Sequence, residues 1–419
     1  MRCYFSHEII EIQMVYQRIT IMGIYKNRKL YSERKNIIKN QSDQSIPNYA
    51  NYNPLQKTIV FVTMYMPYPD KDSGSNRLKE IVLSFKEQGY NCIICCRNIY
   101  RTNEYVKYFS DLGIIVYVET DQYSSYLDFL QAIPNVNYVW YYGPKTLQYN
   151  LKKITKILPD SKSVYDMVDV HFLRFRKAIK IEPTRVSNVK NYIKYFLIET
   201  KLAKNVDYVV TISDTEKEIM TKFINPEKLI TISNIHYPKT EIEHTLTFEN
   251  RIDLLFIGSS HKPNIDAVYY LYKEIMPIVW EKLPDVKVNI IGNVNEKITD
   301  IIDSKFIFHG YVPNTDPFFI SDKMMIAPLR YGGGVKGKIG QAFEYFLPVV
   351  TTSVGAEGMK FINQENALIG DSKEDFAAAI IELYNNKDLW LKLQENSKKS
   401  LEPFSLQAIK KTIAKFDAL

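Results

Sequence analysis

From Lys57 onward, short apolar runs recur along the chain, separated by polar turns or by segments with helical spacing. Thr58–Met64 (TIVFVTM) is β-branched and ends in a Pro/Asp/Gly/Ser loop, the signature of a strand running into a loop. Leu78–Gln88 then places Ile81, Val82 and Phe85 on one helical face. Further strands are predicted at Cys92–Cys96, Ile114–Val118, Tyr138–Tyr142, Val164–Asp166, Tyr208–Ile212 and Leu229–Ile232. Strands alternating with helices imply a parallel sheet covered on both faces.

Pro238–Asn250 is polar, lacks apolar periodicity and reads as a linker. Beyond it the pattern restarts. Ile252–Ile257 is a strand ending at Gly258-Ser259-Ser260, and Asn264–Lys282 is a helix with apolar residues at three- and four-residue steps. Val286–Ile291 is a strand capped by Gly292, and Phe306–Phe308, Met324–Ala327, Val349–Thr351 and Ala367–Ile369 continue the series. The chain therefore divides into a basic polar extension (1–56), a first α/β domain (57–240) and a second (251–419) that includes the C-terminal helices. Ligands of such sheets bind beyond the carboxyl ends of the strands, so a cleft between the domains is the expected active site.

Composition changes this picture little. The 419 residues are 46% hydrophobic and 24% charged, ordinary for a soluble protein. No apolar run approaches the ~18 residues that span a bilayer, and no secretory signal is evident, so an intracellular protein is expected. Part of the net charge of +7 comes from Lys26, Arg28, Lys29, Arg34, Lys35 and Lys39. That run reads as a solvated tail, with peripheral attraction to an anionic membrane as the sharper alternative; nucleic-acid binding is not indicated. Cys92-Ile-Ile-Cys95-Cys96 lacks a second ligand pair at zinc spacing and reads as a buried strand.

The chemistry concentrates between Arg330 and Met359. Gly332 to Gly334 let backbone amides approach a ligand, Val335 follows, and Lys336 and Lys338 flank the start of an apolar helix (Ile339, Ala342, Phe343, Phe346). A glycine loop feeding a helix N-terminus favours anions through free N–H groups and the helix dipole. Two ammonium groups there could neutralise a departing diphosphate without a bound metal. The GxxxxGK[ST] spacing of an ATPase loop is absent. Asp70-Lys71-Asp72 spells a DxD, a weak signal that a solvated loop explains as well.

These pieces stand in a telling order: Phe256-Ile257-Gly258-Ser259, Ile290-Ile291-Gly292, Phe308-His309-Gly310-Tyr311-Val312, Ala327-Pro328-Leu329, GGGVKGK and Pro348-Val349-Val350. The set resembles the donor-binding half of the group 1, or family 4, glycosyltransferases, closely over about 250–390 and more loosely over 57–240. The resemblance implies a GT-B architecture, two Rossmann-like domains facing each other across a cleft, and transfer from a UDP- or GDP-sugar with retention of configuration. No further cofactor or metal is expected. It also implies that Gly258, Ser259 and Gly292 line the diphosphate side, that Tyr311 and Val312 sit beside the base, and that Lys336 and Lys338 contact phosphate. Relatives usually have a glutamate at Gln341 that binds the ribose hydroxyls; Gln341 still hydrogen-bonds but carries no charge, and Glu344, one turn later, is the candidate substitute. Phe346 replaces a usually small residue.

In the first domain, Val164–Arg174 (VYDMVDVHFLR) is similar to an Asp-x-x-Asp-x-His-x-x-Arg loop of some members. It nominates His171 to bond a donor-sugar hydroxyl and Asp169 to orient it or engage the acceptor, with a structural polar role equally open for each. The loop after the first strand nominates Gly74, Ser75 and Arg77. The expected partners are a nucleotide sugar and a glycan, lipid-linked or small-molecule acceptor. A catalytically silent relative, motivated by Gln341, is the rival, and a nucleotide-sugar epimerase a weaker one.

Overall fold

The computed structural model describes residues 45–97, 103–241, 247–332 and 335–418. The basic run Lys26–Lys39, like Gly333 and Gly334, lies outside them.

The first domain is built on β1 (Thr58–Thr63), β2 (Asn91–Cys96), β3 (Ile115–Val116), β4 (Val136–Tyr142), β5 (Lys162–Asp166), β6 (Tyr208–Thr211) and β7 (Leu229–Thr231). They form one sheet in the order β3-β2-β1-β4-β5-β6-β7, every pairing parallel. β1 and β2 are buried along their full length, as expected of strands covered on both faces. The free thiols Cys92, Cys95 and Cys96 are part of that core, in keeping with the buried-strand reading.

The second domain repeats the plan with β8 (Leu254–Ile257), β9 (Val288–Ile291), β10 (Phe306–Gly310), β11 (Met324–Ala327), β12 (Val349–Thr351) and β13 (Leu368–Ile369), ordered β10-β9-β8-β11-β12-β13. The helix predicted over Asn264–Lys282 is present as Lys262–Tyr270 and Met276–Lys282, joined by a π-helical segment at Leu271–Ile275. In each sheet the strand order reverses once, between β1 and β4 and between β8 and β11. Chains leaving such neighbouring strands diverge to opposite faces and open a crevice. The segments that leave the sheets at those two points contain Ser73–Gly74 and the glycine run from Gly332.

Two further segments join the first domain's core. Within residues 45–56, Ile46 is buried there, and the Asn48 side-chain amide donates to the carbonyls of Ser110 and Ile114. At the other end, the helix Leu406–Ile413 crosses back to the first domain, where Ile409, Ile413 and Phe416 pack with Phe85, Tyr138 and Trp140. Tyr138 Oη donates to the Phe416 carbonyl at 2.8 Å. Burying the Phe416 side chain there is worth roughly 1.5–3 kcal/mol.

Candidate active site between the two domains

In the second domain, the helix Gly337–Glu344 begins directly after the glycine segment. Lys336 is its N-cap and Lys338 lies in its first turn. Lys338 Nζ donates to Asn264 Oδ1 at 2.6 Å and stands 5.0 Å from the Phe256 ring. Asn264 in turn donates to Ser259. Burial, reinforced by the neighbouring Lys336, pulls the Lys338 ammonium down to about 7. Burial also lowers Lys336, partly offset by Asp169 and Glu357. A lysine held between a neutral amide, an aromatic face and a second lysine is short of negative charge.

Two glycines let the ends of β8 and β9 pack closely. A Cβ on Gly292, whose φ is +98°, would lie 2.3 Å from the Gly258 carbonyl oxygen. One on Gly258 would meet the Phe256 ring at 2.8 Å and Asn264 at 3.0 Å. Their own amides stay in the sheet, donating to the Ile291 and Gly310 carbonyls.

The facing wall is the end of β5 together with residues 167–174. Val168 adopts φ +63°, a strained conformation for a β-branched residue, and its N–H donates to Asp166 Oδ1 at 3.1 Å. The chain then enters the helix His171–Ile181, whose first amides donate to the buried Glu199: His171 N to Oε1 and Phe172 N to Oε2, both at 3.0 Å. His171 Nδ1 lies 2.9 Å from Glu199 Oε1 and 2.8 Å from the Asp169 carbonyl. Both neighbours accept, so Nδ1 carries a proton. The ring stacks on Tyr195 at 4.8 Å. Asp169 Oδ2 pairs with Arg174 at 2.9 Å, while its Oδ1 is buried without a hydrogen-bond partner among the described residues.

Glu216 joins this wall. Its Oε1 accepts from Val170 N at 3.4 Å, and its Oε2 is buried. Burial first, and the Asp169 charge second, push its carboxyl up to about 8. Lys336 acts favourably on both acids from across the cleft.

The walls meet closely. A Cβ on Gly337 would lie 2.7 Å from Ser73 Oγ, so the first turn of the Gly337–Glu344 helix abuts that of the Ser73–Glu87 helix. Lys177–Glu357 (2.5 Å) and Lys360–Asp214 (3.0 Å) bridge the domains nearby. Beside them, a cavity of about 590 Å³ opens at the ends of β1 and β4, lined among others by Tyr65, Tyr68, Tyr142, His171, Arg174 and Tyr195. Gly74 borders it; a Cβ there would meet Tyr142 Oη at 2.7 Å.

Several expected site residues do different work. Arg77 is fully buried, bonding Asp166 Oδ2 at 2.8 Å and the Ile232 carbonyl through Nε and Nη2; it ties β5 to the end of β7 and does not face the cleft. Glu344 Oε1 is taken by the interdomain segment, accepting from His236 Nδ1 at 2.7 Å and Tyr237 N at 3.2 Å. Gln341 Nε2 instead donates to Thr315 Oγ1 at 3.3 Å, which brings it to the loop bearing Tyr311 and Val312. Tyr311 is 71% exposed, and Val312 packs against the core beside it. Val335 is buried against Gly358. In the DxD, Asp72 caps its helix through Ser75 and Asp70 accepts from Tyr105 Oη. Phe346 has φ +52°, which explains why a small residue suits that position.

Glu216, Glu199, Asn264 and His261 were not singled out as site residues in the sequence. His261, lowered by burial and then by Arg174, also experiences Asp169 and Lys338. None of the four lies in a motif, and only tertiary structure brings them to the cleft.

Comparison with known proteins fits this geometry. Residues 251–386 match the family model Glycosyl transferases group 1. A 44.6 kDa protein of the cps region of Klebsiella pneumoniae is 25% identical over 56% of this chain; the match spans 66% of that relative's length, just under two thirds. Among solved structures, HepE from Anabaena in complex with UDP-glucose superposes with a TM-score of 0.61 at 13% identity, covering 86% of this chain and 100% of that one. Sucrose-phosphate synthase from Thermosynechococcus elongatus gives 0.64 at 12% identity, covering 87% and 98%. Residues 251–386 are thus a glycosyl transferases group 1 domain, and the chain that bears them has the GT-B fold of two Rossmann-like domains facing across a cleft.

Proposed function

We propose that the protein transfers a sugar from a nucleoside-diphosphate sugar to an acceptor hydroxyl, with retention of configuration. The observation that supports this most is the pair Lys336 and Lys338 at the helix N-terminus, across from Asp169, with Lys338 Nζ bonded to the neutral amide of Asn264. A diphosphate placed there receives two ammonium charges and helix amides, and these stabilise the charge that develops on the leaving group. His171 Nε2 then hydrogen-bonds a donor-sugar hydroxyl, Asp169 orients the sugar or the acceptor, and the aromatic cavity holds the acceptor. Gly258, Ser259 and Gly292 border the diphosphate, and Gln341, Tyr311 and Val312 border the nucleoside. Uridine is the first base to test, since HepE holds UDP-glucose.

One observation favours a second reading, a non-catalytic binding protein: the ribose-side position is the uncharged Gln341, and Glu344 is committed to His236. A donor screen that measures released nucleoside diphosphate separates the two. Release stimulated by acceptor supports transfer, whereas nucleotide binding without turnover for any donor supports the binding protein.

A further inference from the structure

We propose that the helix Val186–Thr200 docks the protein on an anionic lipid bilayer. One face of this helix packs inward, with Tyr192 and Phe196 against Phe172, and Tyr195 against His171 and Phe175. The opposite face carries Val186, Val189, Ile193 and Leu197, exposed by 64%, 38%, 53% and 52%. Steps of three and four residues align them as one stripe along the helix. Lys190 and Lys201 follow Val186 and Leu197 by one turn, and Lys194 adjoins Ile193, so a row of cations borders the stripe.

The charge selects the partner. From His171 to Asn205 the sequence has nine Lys and Arg against two carboxylates, Glu182 and Glu199. Glu199 is buried, and Glu182 pairs with Arg185. A second copy of the chain meeting this face about a two-fold axis would set like charges together. A nucleic acid would leave the apolar stripe without a partner. An interface of acyl chains beneath anionic headgroups satisfies both features.

His171, Arg174 and Tyr195, which line the 590 Å³ cavity, belong to this helix and the one it packs on, so docking brings the cavity mouth near the headgroups. If the transferase reading holds, that placement selects a lipid-linked acceptor; the docking itself does not depend on it.

Flotation of the full chain with vesicles tests the proposal without reference to activity. The chain is expected to float with phosphatidylcholine–phosphatidylglycerol vesicles and to remain behind with phosphatidylcholine alone. Ile193→Ser with Leu197→Ser, and separately Lys190→Gln with Lys194→Gln, are expected to lower the bound fraction about tenfold. Thermal unfolding checks both variants, and if the apolar pair is destabilised, the lysine pair decides. Absence of flotation by the wild type, undiminished flotation of the folded variants, or self-association through this face in place of vesicle binding would each overturn it. Loss of the transferase reading alone leaves these outcomes unchanged.

Discussion

Gly337 and Ser73 sit so close across the interdomain cleft that a single methyl group on the first would lie 2.7 Å from the hydroxyl of the second. The contact sets how near the two helix N-termini approach, and with it the spacing of the two cleft walls. Gly337→Ala is expected to leave the second domain folded, since alanine is the better helix former by about 1 kcal/mol. It should nevertheless wedge the domains apart and lower turnover about tenfold. Ser73→Gly in the same chain removes the opposing atoms and should restore most of the loss, which steady-state kinetics on the double-mutant cycle will show.

Lys338 makes diphosphate binding a proton-linked event. Its folded pKa of about 7 lies below the ordinary 10.5, so between these values the folded protein holds fewer protons than the unfolded chain, and stability from this group rises with pH. An anion beside it reverses the shift, so nucleotide binding at pH 8 should take up close to one proton. Calorimetry in buffers of differing ionisation heat measures the uptake, which Lys338→Met should abolish.

Arg77 serves the fold. Removing one partner of a fully buried ion pair costs roughly 3–5 kcal/mol, because Asp166 would remain buried beside Trp140 without its counter-charge. Arg77→Met should therefore lower Tm by several degrees. Nucleotide affinity, determined in the other domain, should stay within about twofold.

The strand series was legible because each strand is a compact β-branched or aromatic run closed by a polar turn; even two-residue β3 and β13 fall within predicted segments. The helix that opens at Gly337 was legible for a similar reason, since the glycine segment, the two lysines and the apolar positions that mark its start are contiguous. The bonds that Arg77 and Glu344 make were not legible because their partners lie 89 and 108 residues away, a relationship that local pattern does not encode. The helix Val186–Thr200 escaped notice because its apolar residues occupy both faces, which blurs the helical period. The same pattern leaves a stripe exposed.

Glu216 gives the cleft a pH signature of its own. Its carboxyl, pushed up to about 8, holds a proton in the folded state that the unfolded chain releases near 4.5. Its contribution to stability is present in full below 4.5 and is lost as pH rises through 8. Glu216→Gln, neutral throughout, should shrink the fall in Tm between pH 6 and pH 9 by about 2 °C or more.

The central claim is that a nucleoside diphosphate rests against Lys336 and Lys338. Calorimetric titration of UDP, then GDP, into wild type and into Lys336→Met/Lys338→Met tests it most directly. Binding by the wild type with a loss of about a hundredfold in the double variant is the predicted result. Equal affinity in the two proteins, or no nucleotide binding by the wild type, would contradict it.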